Sequence, residues 1–181
     1  MSVQIVYETH GTTFDNEAGI ATGWLSGELS PEGIRNAEEL GRRHANDRID
    51  VVYSSDLRRA VDTARIAFAE SGIPIRFDVG LRECNYGDLN GAPRQELEPR
   101  TRFLTTPFPG GESYQDVVDR TADFLTDLAR EHQGQRILLV AHAANRLALD
   151  VLLGGASLAV AVDEPFDWQE GWDYLLGQRQ G

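Results

Sequence analysis

The chain has 181 residues, of which 41% are hydrophobic and 25% charged, the balance of one globular domain (1–181) large enough to bury a core. Its net charge of -12 argues against a nucleic-acid or anionic-membrane surface, since both need basic patches, and obliges any anionic substrate to be captured by local arginines. The single cysteine, Cys84, excludes an intrachain disulfide; with no signal-like N-terminus and no apolar run of membrane-spanning length, the prediction is a soluble, cytoplasmic protein.

Val3 to Thr9 is a short apolar, β-branched run that reads as a buried strand and delivers His10. The Gly-rich stretch from Gly11 to Gly27 is too irregular for a helix. Ser30-Pro31 supplies an N-cap with proline in the first turn, and the apolar spacing that follows predicts an amphipathic helix over 31–46. A strand at 50–54, a helix at 56–69 and a strand at 74–79 come next, with Pro74 pointing to a sheet edge. Residues 81–112 are rich in glycine and proline and predict a loop-rich insert. Ser113 and Asp116 form a capping box for a helix running to about His132. Ile137 to Ala141 is a second apolar strand and delivers His142, and 144–153 is a helix. Trp172, Tyr174 and Leu176 alternate as a final edge strand. This order of elements predicts a three-layer α/β/α sandwich, a mostly parallel sheet with helices on both faces.

Chemistry concentrates where strands end, because ligands of such sheets bind beyond the carboxyl ends of the strands. If the strands before His10 and His142 are neighbours, two imidazoles share one crevice. That pairing fits metal ligation or nucleophilic catalysis, although no H-x-H or H-E-x-x-H spacing supplies a third zinc ligand. His44 and His132 lie in charged contexts and read as solvated. Arg58 and Arg59 open a helix, against its dipole, at a position suited to an anion. Spacing puts Arg59 nearer the sheet. Glu83, set among apolar residues and glycines, reads either as a general acid with a raised pKa or as the structural partner of Arg82.

Thr9-His10-Gly11-Thr12-Thr13 with Asn16 resembles the R-H-G-x-T…N signature of the histidine phosphatase superfamily, the phosphoglycerate-mutase-like proteins. Leu29 to Ala37 is similar to that family's L-[ST]-x-x-G-x-x-Q-A, Ser54 to Ala64 to its S-S-x-L-x-R-A-x-x-T-A, Leu81 to Gly91 to its L-R-E-x-x-[FY]-G-x-x-x-G, and Val140-Ala141-His142 to its V-x-H element. The resemblance covers most of 3–149 and implies a mechanism. His10 becomes a nucleophile that forms a phosphohistidine, Arg59 clamps phosphoryl oxygens, His142 stabilises transition-state charge, and Glu83 is the acid and base. Thr12 and Asn16 bind the phosphoryl group or place the loop. The implied substrate is a small phosphorylated metabolite, handled without metal or cofactor; the chain's length resembles the compact phosphatase branch more than the mutases, whose phosphoryl transfer is the alternative. One departure stands out. Thr9 occupies the position of the motif arginine, so Arg82 or Arg146 is expected to take over, or else the substrate carries less charge, or the protein is a weak enzyme or an anion-binding protein.

Overall fold

A computed structural model describes residues 2–177. Its central sheet holds β1 (Val3–Thr9), β3 (Val51–Ser55), β4 (Ile75–Asp78), β6 (Arg136–Ala141) and β7 (Trp172–Leu176) in the order β4-β3-β6-β1-β7. All neighbours are parallel except β7, which runs antiparallel to β1. β6, central and covered on both faces, is buried from Ile137 to Ala141, which is why it reads as an unbroken apolar run rather than an alternation. Pro74 precedes an edge strand, and the alternation in β7 places that strand on the opposite edge.

Helices cover both faces. On one, α2 (Pro31–Arg43) and α3 (Arg58–Phe68) close a core containing Val6, Leu40, Val52, Ala60, Phe68 and Leu138. On the other, α4 (Tyr114–Glu131) and the sheet enclose Ile5, Tyr7, Leu81, Leu128, Leu139 and Trp172. There α5 (Ala143–Leu152) lies beside α4. Ser30 and Ser113 cap α2 and α4 through their hydroxyls, Ser113 with Asp116 in the reciprocal box.

The sequence reading needs correction at several places. The Gly-rich stretch after β1 carries a single turn of helix, α1 (Phe14–Glu17), capped by Thr13, and a short strand β2 (Ile20–Ala21). Within the insert, β5 (Ala92–Pro93) pairs with β2, and the rest is a chain of 3-10 turns. A helix α6 (Leu158–Asp163) precedes the last strand. His44 and His132 are buried, not solvated: His44 bridges Glu8 and Asp47, and His132 meets the Tyr53 hydroxyl and Gln135.

Close backbone approach fixes the signature loop. A Cβ on Gly33 would stand 1.9 Å from the Thr12 carbonyl oxygen, and one on Gly11 would stand 2.4 Å from that of Gly33. Only glycine lets α2 start this near the end of β1.

Candidate active site

The two histidines are brought together by strand pairing. Thr9 of β1 is in register with Ala141 of β6, and the His10 amide donates to the Ala141 carbonyl at 3.0 Å. Their rings lie with centroids 5.0 Å apart, tilted by 55°. His10 Nδ1 is 2.7 Å from the Gly11 carbonyl oxygen, which can only accept, so Nδ1 carries the hydrogen and Nε2 keeps its lone pair. Burial, helped by the Arg59 charge, pushes the His10 pKa down to about 3, and the ring is neutral at ordinary pH. His142 is wholly buried, and neither ring nitrogen has a hydrogen-bond partner among the described residues. Burial, Arg59 and His10 hold its pKa well below the usual histidine value. Its backbone is fixed by the Tyr7 hydroxyl, which donates to its carbonyl, and by Asn145, whose side-chain oxygen accepts from its amide at 3.1 Å.

Arg59 is 2% exposed, whereas the side chain of its neighbour Arg58 is 54% exposed, so the preference drawn from helical spacing holds. The Arg59 guanidinium donates to the carbonyls of Gly23 at 2.8 Å and Leu25 at 3.0 Å, and no carboxylate among the described residues pairs with it. Burying a charge that way is costly unless an anion completes the site. Thr63 ties this helix to the signature loop: its hydroxyl accepts from the Gly11 amide at 2.9 Å and donates to the Arg59 carbonyl at 2.7 Å. Glu83 is buried, with Oε1 accepting from the Cys84 amide at 2.8 Å. Burial raises its pKa; the Cys84 amide, Arg59 and Arg120 oppose that rise without cancelling it.

His10, Arg59 and Glu83 line one cavity of about 690 Å³, with Thr9, Thr12 and Asn16 also in its wall. His142 is not among the lining residues, but its ring lies against that of His10. The Thr12 hydroxyl and amide both engage the Asn36 side-chain oxygen, and the Asn16 oxygen accepts from the Thr13 amide, so both residues are tied into loop structure beside the cavity. Arg82 is held elsewhere: it makes two hydrogen bonds to Asp56, at 2.7 and 2.6 Å, and lies over the Trp24 ring, which also rules out the Glu83–Arg82 pair. Arg146 is paired with Asp150 at 2.7 Å and faces a smaller cavity of about 60 Å³. Neither of these two arginines lines the larger cavity. The arginines that do, besides Arg59, are Arg43, Arg94 and Arg100. Arg43 is bound by Glu8 and Arg100 lies beside Glu98, whereas Arg94 has no carboxylate partner among the described residues. Reading the sequence did not single out Arg94, and nothing in its neighbours signals it. Asn36 was legible, since it stands at the glutamine position of L-[ST]-x-x-G-x-x-Q-A.

A neutral imidazole, a buried guanidinium and a carboxyl group of raised pKa thus meet in one cavity, an arrangement suited to an anionic group. Residues 9–161 match the model of the histidine phosphatase superfamily (branch 1), and the chain belongs to that superfamily. It is 33% identical over 167 residues to a 2,3-bisphosphoglycerate-dependent phosphoglycerate mutase of Methylobacterium sp. (strain 4-46), covering 83% of this chain and 80% of the mutase. It is 32% identical over 168 residues to a metal-independent phosphoserine phosphatase of Arabidopsis thaliana, covering 86% and 71%. Among solved structures, mycobacterial glucosyl-3-phosphoglycerate phosphatase superposes with a TM-score of 0.78 at 30% identity, covering 88% of this chain and 85% of that one.

Proposed function

We propose that the protein hydrolyses a phosphomonoester of a small metabolite through a phosphohistidine intermediate. The observation that carries this reading is the meeting of His10, Arg59 and Glu83 in one cavity, with His10 neutral and Glu83 biased toward its protonated form. His10 Nε2 attacks phosphorus; the N–P bond forms as the P–O bond to the leaving group breaks. Glu83 transfers its proton to the departing alkoxide, which leaves as the alcohol. Arg59 binds phosphoryl oxygens through its fork of donors, and His142 donates its one N–H to the same group as negative charge builds. A water then attacks the phosphohistidine, Glu83 takes the water's proton, and inorganic phosphate departs with His10 neutral again. Thr12 and Asn16 hold the loop that shapes the phosphoryl site. Relatives named as phosphatases support hydrolysis, and relatives named as mutases keep transfer to a second acceptor in view.

The test is a panel of phosphorylated metabolites assayed for phosphate release with wild type and His10→Ala, alongside acid-quench trapping of labelled phosphohistidine. Release and trapping that both vanish in His10→Ala support the reading. Trapping with transfer to a second metabolite and little release would make the protein a mutase. No trapping and no release would leave an anion-binding protein.

A further inference from the structure

The aromatic side chains after α6 divide between two tasks. Trp172 is nearly buried, meets Tyr7 edge-on with centroids 5.6 Å apart, and carries the Arg146 guanidinium 5.2 Å from its ring centre. Phe166 rests against Trp172 at 5.8 Å, so it is seated on the core while 38% of its surface stays open. Trp168 is different. It is 59% exposed, and among the described residues neither another ring nor a guanidinium packs on it. Yet Phe166 and Trp168 both line the cavity that holds His10, Arg59 and Glu83. Trp172 covers the core, and Trp168 does not. The exposed indole offers the cavity a flat apolar face that a ligand ring can cover. At about 690 Å³ the cavity falls within the range that holds a whole small organic ligand, well beyond one phosphoryl group.

Building on the phosphatase reading, we infer that Trp168, with Phe166 fixed beside it on Trp172, is the stacking surface for the leaving group. The substrate is accordingly a phosphomonoester whose alcohol carries a ring, a sugar or an aromatic heterocycle, with a flat or apolar face to lay against the indole. Both ring types share that contact, and the assay separates them.

The experiment compares kcat and KM for three esters: a hexose phosphate, a nucleoside monophosphate and acyclic glycerol phosphate, with wild type, Trp168→Ala and Trp168→Tyr. Wild type is expected to prefer one ring ester over glycerol phosphate. Trp168→Ala should lower the ring-over-acyclic ratio of kcat/KM by about 5- to 100-fold, chiefly through KM, the range for losing one stacking contact. Trp168→Tyr, which keeps a ring face, should recover most of the ratio. A ratio that is the same in all three proteins, or a wild type that prefers the acyclic ester, overturns the inference. If wild type releases phosphate from none of the three esters, the wider panel and phosphohistidine trapping judge the phosphatase reading separately, and fluorescence decides this one. Quenching of tryptophan emission by a ring-bearing monophosphate, present in wild type and lost in Trp168→Tyr, sustains the stacking surface; equal quenching in both removes it.

Discussion

Position 9 is where this chain parts from the signature it otherwise resembles, and the structure narrows what that costs. Arg82 and Arg146 are each held by a carboxylate, so in the proposed mechanism neither replaces the motif arginine and Arg59 carries the phosphoryl group. Thr9 is half-buried in the cavity wall and leaves space beside His10. Thr9→Arg is therefore expected to lower KM for a simple phosphate monoester by about tenfold or more, the worth of one charge-assisted hydrogen bond. Arg59→Ala should cost about 10²–10³ in kcat/KM, while Arg82→Ala and Arg146→Ala cost far less. Steady-state kinetics of the four variants side by side decides this, and an Arg82→Ala as damaging as Arg59→Ala would return Arg82 to the site. Acid–base chemistry gives a second test. With the proposed roles, His10 should gain nucleophilic strength as pH rises through about 3, and Glu83 should lose its proton as pH rises through its elevated pKa. The rate with alkyl phosphates should rise and then fall, with the descending limb above the ordinary carboxylate range. Glu83→Gln should lower alkyl-ester turnover by about 10²–10⁴ and spare aryl phosphates, whose leaving groups need no proton. Equal loss on both ester types would make Glu83 structural.

At the scale of elements, the site depends on the register between β1 and β6 and on how near α2 approaches the loop after β1. Gly33→Ala puts a methyl carbon against the Thr12 carbonyl oxygen at less than any real contact. The expected result is destabilisation of about 1–3 kcal/mol by overpacking, with loss of phosphate affinity because Thr12 moves with its backbone; denaturant unfolding and product-inhibition constants would read the two effects. A variant with wild-type stability and affinity would show the loop to be more yielding than this contact implies. Much of this framework was legible in the sequence. The strands before His10 and His142 announce themselves by β-branched runs, and Ser30, Pro31, Ser113 and Asp116 mark helix starts by local hydrogen bonding. What stayed hidden has partners remote in the chain. His44 looks solvated among its charged neighbours because Glu8, which buries it, lies on another element. Arg94 and Trp168 sit in segments without periodicity, so nothing local shows which way they face. The one-turn α1 and the six-residue α6 are too short to give a 3.6-residue pattern.

Across the whole molecule, the -12 charge opposes the approach of any phosphate ester, whereas the buried Arg59 acts only inside the cavity. Added salt screens the long-range repulsion, since the Debye length falls from about 30 Å at 0.01 M to about 10 Å at 0.1 M. Between those ionic strengths kcat/KM for a dianionic ester should rise, as measured in non-coordinating salt; a steep fall would mean that the cavity's own cations govern encounter. Another property of the whole follows from the pairing of Val3 with Leu176 across β1 and β7. These two positions, near opposite ends of the sequence, are hydrogen-bonding neighbours, so the described chain is almost a closed ring. A circularly permuted protein, joined by a short linker there and opened at Gly155, where an added Cβ would meet nothing within 4 Å, should keep its phosphoryl chemistry. Sheet hydrogen bonds, not the order in which the ribosome lays down the strands, hold His10 beside His142.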